Sequence, residues 1–276
     1  MPTRIKFALN HIATPRLDSR AFIDLAASLG CVGVELRNDL VDKKLADRPF
    51  FDGEAPAALG AYARGEGMRL LGLSEAYGFN VWSDAMGDKV ALLLEQAKES
   101  GAETISLIPR NDACFSSDAE RLGALRAALA EILPMVKAAG IVGLIEPLGF
   151  TTSTLRSKAE TVAAVEAVGG EGHFKLVHDT FHHHLAGGGP LFAAETGIVH
   201  ISGVVDPALS PEEMQDAHRI LVDAEDRLGN VAQVRALLDT GYSGAFSFEP
   251  FAPSVHALAD PRAALAESMA FITAHV

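Results

Sequence analysis

The chain repeats one local pattern, in which an amphipathic segment ends at a glycine and a short apolar run begins within a few residues. Glycine suits the left-handed position that closes many helices, so each repeat predicts a helix followed by a strand. The closing glycines of the five repeats are Gly30, Gly67, Gly101, Gly140 and Gly241. Alternation of helices and strands predicts parallel strands covered by helices.

Eight apolar runs are strand candidates, at positions 5–9, 32–36, 70–73, 104–108, 142–145, 174–177, 198–201 and 245–248. Eight strand–helix units predict an α/β fold, a closed (β/α)8 TIM barrel, and 276 residues fit such a barrel as one domain over 1–276. The sixth helix is predicted near 191–196. An open doubly wound sheet is disfavoured because no Gly-x-Gly-x-x-Gly follows the first strand.

Charge and hydropathy limit the classes of partner that the protein is expected to bind. A formal net charge of -13 argues against a stable complex with nucleic acid and favours a small uncharged ligand. No apolar run is long enough to span a membrane, and the N-terminus lacks the apolar stretch of a signal peptide, so we expect a cytoplasmic protein with no membrane partner. Cys31 and Cys114 are expected to be free buried thiols and not nucleophiles. The oligomeric state stays open, a homo-oligomer included.

Four acidic or imidazole side chains stand where four successive predicted strands end, namely Glu146, Asp179, His200 and Glu249. Any one of them alone fits a solvated loop residue. A barrel gathers the carboxyl ends of its strands at one mouth, where burying several charges costs several kcal/mol unless they share a counterion. Three carboxylates and one imidazole form an oxygen-rich ligand set that suits one Mn, Mg or Co ion better than a structural zinc.

The motifs around these residues resemble those of the xylose-isomerase-like barrels. They are 146–149 (Glu-Pro-Leu-Gly), 178–184 (His-Asp-Thr-Phe-His-His-His), 199–201 (Val-His-Ile) and 246–249 (Phe-Ser-Phe-Glu). The resemblance is closest to the inosose isomerase (2-keto-myo-inositol isomerase) branch. It implies one divalent ion, with Mn as the leading choice and Mg, Co or Zn as alternatives, held by the four strand-end residues.

The same resemblance implies that His182 and Arg219 contact substrate oxygens, although the Pro-Gly-x-Gly turn common after this arginine is missing here. It also implies that Glu146 and Glu249 transfer protons through an enediolate. The implied reaction converts 2-keto-myo-inositol, an unphosphorylated ketopolyol, to 1-keto-D-chiro-inositol.

Three alternatives remain at this point. A ketohexose 3-epimerase would use the same proton chemistry. An apurinic-site endonuclease would need additional histidines after the second, third and fourth strands, where this chain has Glu35, Arg37, Glu75 and Arg110 nearby. A non-catalytic polyol sensor would not need the two glutamates.

Overall fold

A computed structural model describes residues 5–276 and contains a closed barrel of eight parallel strands, in which the first strand pairs with the last. The strands are β1 (Phe7–Asn10), β2 (Gly33–Arg37), β3 (Arg69–Tyr77), β4 (Thr104–Ile108), β5 (Val142–Ile145), β6 (Phe174–Asp179), β7 (Thr196–Ile201) and β8 (Phe246–Phe248). The predicted (β/α)8 barrel is confirmed.

The helices of the described region are α1 (Ser19–Ser28), α2 (Pro56–Gly65), α3 (Asp84–Ser100), α4 (Asp118–Ala139), α5 (Lys158–Ala167), α6 (Thr180–Leu185), α7 (Asn230–Asp239), α8 (Pro253–His256) and α9 (Pro261–His275). Short 3-10 turns cover His11–Ala13, Phe50–Gly53 and Asp216–His218. Within residues 5–276, no helix combines the length and apolar character needed to cross a membrane.

Local sequence signals account for the ends of the two longest helices. Ser83 and Ser117 cap α3 and α4 by accepting hydrogen bonds from backbone N–H groups three residues further on. Gly101 and Gly140 close the same helices with φ of 78° and 68°, the left-handed conformation in which glycine carries no steric penalty. The helix ends predicted from these glycines are therefore confirmed, and both glycines have the left-handed conformation that the prediction assumed.

Two expectations are wrong. The sixth helix is α6, which starts directly after β6, whereas 191–196 contains a turn and the start of β7. Asp179 is both the last residue of β6 and the N-cap of α6, so no loop separates the two elements. Cys31 is buried as expected, but Cys114 is exposed in the segment between β4 and α4.

The barrel interior is built in layers of side chains. Ala8, Leu71, Leu144, Val177, Ile198 and Ala245 form the apolar inner layer. Side chains two positions apart on a strand share a face. Glu146, Asp179 and His200 each stand two residues beyond a member of that layer, and Glu249 stands four beyond Ala245. Strand alternation therefore directs all four toward the inside of the barrel at its carboxyl end.

Candidate metal centre

The structure brings the four strand-end residues together. Each of Glu146, Asp179, His200 and Glu249 offers one ligand atom, and these atoms all lie within 4.8 Å of one another. All four residues are buried, with Glu146 the most accessible at 5%. The Nδ1 atom of His200 lies 3.2 Å from Oε2 of Glu249 and 3.6 Å from Oε1 of Glu146.

The donor atoms fit a divalent cation. Within the described chain, the buried Nδ1 of His200 has no hydrogen-bond partner of good geometry. An imidazole nitrogen that faces carboxylate oxygens is a donor set that fits Mn, Mg, Co or Zn. The four residues are therefore those that would hold the ion.

Arg219 lies among the same groups and is 1% exposed. Its Nη2 atom donates to Asp179 Oδ2 at 2.5 Å and to Glu249 Oε2 at 2.9 Å. Its Nε and Nη1 atoms donate to Ser202 and Asp216. Four of the five guanidinium N–H groups thus have acceptors within residues 5–276, which leaves one on Nη1 for another partner.

Glu249 also accepts hydrogen bonds from residues on β1 and β2, the strands that follow β8 around the closed barrel. Its Oε1 atom accepts from Arg37 Nη1 at 2.9 Å and from Asn10 Nδ2 at 3.2 Å. Arg37 also binds both carboxylate oxygens of Asp39, at 2.8 and 2.6 Å. The carboxylate of Glu249 is therefore fixed in orientation from two directions, by Arg219 and by Arg37.

His200 is oriented by a buried glutamate of β2. Its Nε2 lies 3.2 Å from Oε2 of Glu35, whose exposure is 0%. Burial lowers the pKa of His200, but attraction from Glu249 and Glu35 outweighs it and raises the pKa well above its ordinary value. With the Nε2 proton directed to Glu35, Nδ1 is the atom at which a metal cation would replace a proton. Glu35 thus orients the His200 ring so that Nδ1 faces the cluster.

The two glutamates of the cluster have different electrostatic surroundings. Burial, together with repulsion from Glu249, raises the pKa of Glu146 to about 7. Burial also opposes ionisation of Glu249, but attraction from His200, Arg219 and Arg37 outweighs it and lowers the pKa of Glu249. Glu249 is thus held ionised, while the neighbouring Glu146 keeps its proton to a higher pH.

His182, on α6, lies beside the cluster and is 4% exposed. Its ring packs edge-on against Phe150 and Phe181, with ring centroids 5.1 and 5.2 Å away. Burial lowers the pKa of His182, so the ring is neutral near pH 7. Its backbone N–H donates to Asp179 Oδ1, which places His182 at a fixed position relative to the cluster.

Comparison with known families settles the classification. The family model described as the xylose isomerase-like TIM barrel matches residues 23–275. The chain belongs to this family. The predicted resemblance is confirmed at that level. A comparison with curated proteins found no match.

Solved structures of xylose isomerase-like barrels are similar over the whole chain. A xylose isomerase domain containing protein from Salmonella typhimurium LT2 is 28% identical with a TM-score of 0.88, covering 99% of this chain and 98% of that one. The IOLI protein with a bound zinc atom is 18% identical with a TM-score of 0.85 and 99% coverage of both chains. D-Psicose 3-epimerase from Clostridium cellulolyticum H10, solved with D-tagatose, is 16% identical with a TM-score of 0.72, covering 98% and 99%.

Sequence reasoning found the four cluster residues but missed the groups that hold them. The 34–37 stretch (Val-Glu-Leu-Arg) is similar to the inosose isomerase branch and stands where an endonuclease would have a histidine, but neither point predicts what Glu35 and Arg37 contact. Nothing in the sequence singles out Asn10. Alternation on β2 is the signal that points to the first two, because Glu35 and Arg37 are charged residues on the inward face of a buried strand.

Proposed function

We propose that the protein is a metal-dependent isomerase of a ketopolyol without a phosphate group, with 2-keto-myo-inositol as substrate and 1-keto-D-chiro-inositol as product. The observation that carries the proposal is the pair of buried glutamates, Glu146 and Glu249, that share His200 as a neighbour inside the barrel mouth. Family membership and the bound zinc of the similar IOLI protein support the metal dependence.

A divalent cation, when bound, stabilises negative charge on adjacent hydroxyl and carbonyl oxygens and makes the C–H between them more acidic. Glu146, Asp179, His200 and Glu249 are the proposed ligands. Arg37 and Asn10 hold one oxygen of Glu249, so the carboxylate reaches the substrate in one orientation. Positioned general acid–base groups contribute on the order of 10² to 10⁴ in rate.

In this proposal Glu249 removes a proton from the carbon bearing a hydroxyl group. Glu146, on the other side of His200, donates a proton to the former carbonyl carbon, and the proton of the substrate hydroxyl group moves to the former carbonyl oxygen. The carbonyl thus moves by one carbon, and no atoms are gained or lost. His182 and the free N–H of Arg219 hold substrate oxygens. Asp179 serves as a ligand and keeps α6 in place through its bonds to two backbone N–H groups.

A ketohexose 3-epimerase is the second candidate. D-Psicose 3-epimerase is similar over 98% of this chain, and epimerisation uses the same removal and return of a proton beside a carbonyl. The two candidates differ in the face from which the proton returns and in whether the ligand is a ring or an open chain.

The test is a proton NMR time course in deuterated water with metal-loaded protein, using inosose, psicose, fructose and one sugar phosphate. The expected result is solvent deuterium at the carbon beside the inosose carbonyl and the highest kcat/KM for inosose. A tenfold higher kcat/KM for the sugar phosphate, equal to about 1.4 kcal/mol of transition-state binding, would overturn the choice of substrate. Full turnover in excess chelator, with no metal detected by elemental analysis, would overturn the metal dependence.

A further inference from the structure

A cavity of about 270 Å³ lies between the first turn of α5 and helix α6. Arg156, Ser157, Lys158 and Ala159 line one side, and His182 and His183 line another. Its volume accommodates a small anion with a short organic substituent. The proposed reaction makes no use of Arg156, Lys158 or His183.

The cationic groups at this cavity lack acidic partners. Neither Arg156 nor Lys158 forms an ion pair with any residue of 5–276, in a chain whose net charge is -13. The guanidinium of Arg156 donates instead to the carbonyl oxygens of Gly149 and Leu185. Two basic groups without acidic partners beside one cavity favour a bound anion.

The helix behind these side chains adds to that potential. Lys158 and Ala159 are the first two residues of the ten-residue helix α5, and Ser157 is its N-cap. The Ser157 hydroxyl accepts from Glu160 N, while the N–H groups of Lys158 and Ala159 have no acceptor among the described residues. A helix N-terminus favours negative charge, yet here two cations stand beside it.

The hydrogen bonds around His178 fix how the Lys158 amine is held. Gln233 donates through Nε2 to the carbonyl oxygens of Thr180 and Leu228, so its Oε1 faces His178 Nε2 at 2.9 Å and accepts that proton. His178 Nδ1 is then the acceptor for Lys158 Nζ at 2.6 Å. This bond uses one N–H of Lys158, and the others are free for a ligand.

His178 also shows on which side of the sheet the amine lies. Its neighbours Val177 and Asp179 face the barrel interior, so His178 faces the helices, where it meets α5 and α7. The Lys158 amine is therefore on the helix side of β6. The cavity adjoins the metal centre, because Asp179 and His182 line it as well, but the inference does not depend on the proposed function.

We propose that this cavity is a binding site for one small oxyanion, a phosphate or a carboxylate, held by Lys158, Arg156 and the free N–H groups of the first turn of α5. The geometry that supports it is the presence, at one cavity, of two basic side chains that have no acidic partner within residues 5–276. The pKa of Lys158, lowered to about 7 by burial, agrees with an ammonium group that lacks a counterion.

The acidic lining residue Asp179 does not oppose this assignment. Its Oδ1 accepts from the N–H groups of Phe181 and His182, and its Oδ2 accepts from Arg219. Each oxygen of Asp179 thus already accepts at least one hydrogen bond.

The experiment titrates zinc-loaded protein with inorganic phosphate and, separately, with acetate, by calorimetry and by NMR of ¹³Cε-labelled lysine. The Lys158 signal is identified by its loss in Lys158→Met. The expected result is one phosphate or acetate bound per chain, a shift of the Lys158 signal, and a dissociation constant about tenfold or more higher in Lys158→Met, as for loss of a charge-assisted hydrogen bond. Lys158→Arg should keep binding, and Lys137→Met, which changes an exposed lysine on α4, should bind as the unmodified chain does.

Two results would overturn the proposal. One is the absence of phosphate and acetate binding at millimolar concentration. The other is binding that Lys158→Met leaves unchanged and that does not shift the Lys158 signal, which would place the anion at the metal. If Lys158→Met does not fold, the signal shift in the unmodified chain and the affinity of Lys158→Gln decide the question.

Discussion

The substitution Glu35→Gln is predicted to weaken metal binding by about 10- to 100-fold, although Glu35 is not a ligand. Glu35 is fully buried, and its Oε2 lies 3.2 Å from Nε2 of His200. The substitution keeps the shape of the side chain and an acceptor oxygen but removes the negative charge. The substitution therefore tests how much the negative charge of Glu35 strengthens metal binding by the His200 imidazole.

The magnitude follows from two independent values. A hydrogen bond to a charged group contributes about 1.5–3 kcal/mol, which is the upper limit for what the neutral amide can lose. Loss of the outer carboxylate of a carboxylate–histidine–metal arrangement costs about 10- to 100-fold in affinity, or about 1.4–2.8 kcal/mol. The two ranges overlap. In addition, Oε1 of Glu35 has no partner within the described residues, so the new amide N–H group finds no acceptor ready for it.

The assay is calorimetric titration of apoprotein with Zn²⁺ or Mn²⁺ in the presence of a competing chelator. Glu103→Gln is the matched control, because Glu103 is exposed and pairs with Arg69 at the opposite end of the barrel from the cluster. The control should bind metal as the unmodified chain does. If Glu35→Gln bound the metal within twofold of the unmodified chain, the argument that Glu35 tunes His200 would be refuted.

Three further predictions concern catalysis, packing and pH. Glu249→Gln should lose most exchange of the substrate α-proton with deuterated solvent, and Glu146→Gln should lose most conversion of substrate to product, each while keeping measurable metal binding. Exchange or conversion at the unmodified rate would remove that residue as the base or the acid. Gly60→Ala should lower the free energy of unfolding in urea by several kcal/mol, because a Cβ there would overlap the carbonyl oxygen of Ser100, whereas Gly123→Ala, with open space around it, should be neutral or stabilising by up to about 1 kcal/mol. Burial lowers the pKa of His11 from 6.5 to about 4, so the imidazole is neutral in the folded protein. As the pH falls, the unfolded chain binds a proton at this imidazole before the folded chain does, and the free energy of unfolding should fall by about 2 kcal/mol between pH 7 and pH 5. His11→Asn should lack this pH dependence.

The strand ends could be predicted from the sequence because each depends on a local pattern. An apolar run followed by a carboxylate or imidazole is visible within five residues, and a barrel brings equivalent strand ends together whatever the intervening loops contain. For the same reason Glu146, Asp179, His200 and Glu249 could be chosen without knowledge of any contact between them.

The supporting contacts could not be predicted because they join distant parts of the chain. Glu249 meets Arg37 across 212 positions and Asn10 across 239, and Glu35 meets His200 across 165. Each of these pairs depends on closure of the barrel, which brings β1 and β2 close to β7 and β8. Helix α6 was misplaced for another reason: a six-residue helix that follows a strand without a loop is too short to show a helical period.

The division of the site between the two halves of the barrel has a consequence for recombination. The four proposed ligands come from β5 to β8, while Asn10, Glu35 and Arg37 come from β1 and β2. A chimera that joined residues 141–276 to the first half of another barrel would inherit every ligand and none of these three partners. Such exchanges between relatives can preserve the architecture while lowering metal affinity, so the two halves are expected to evolve as a matched pair.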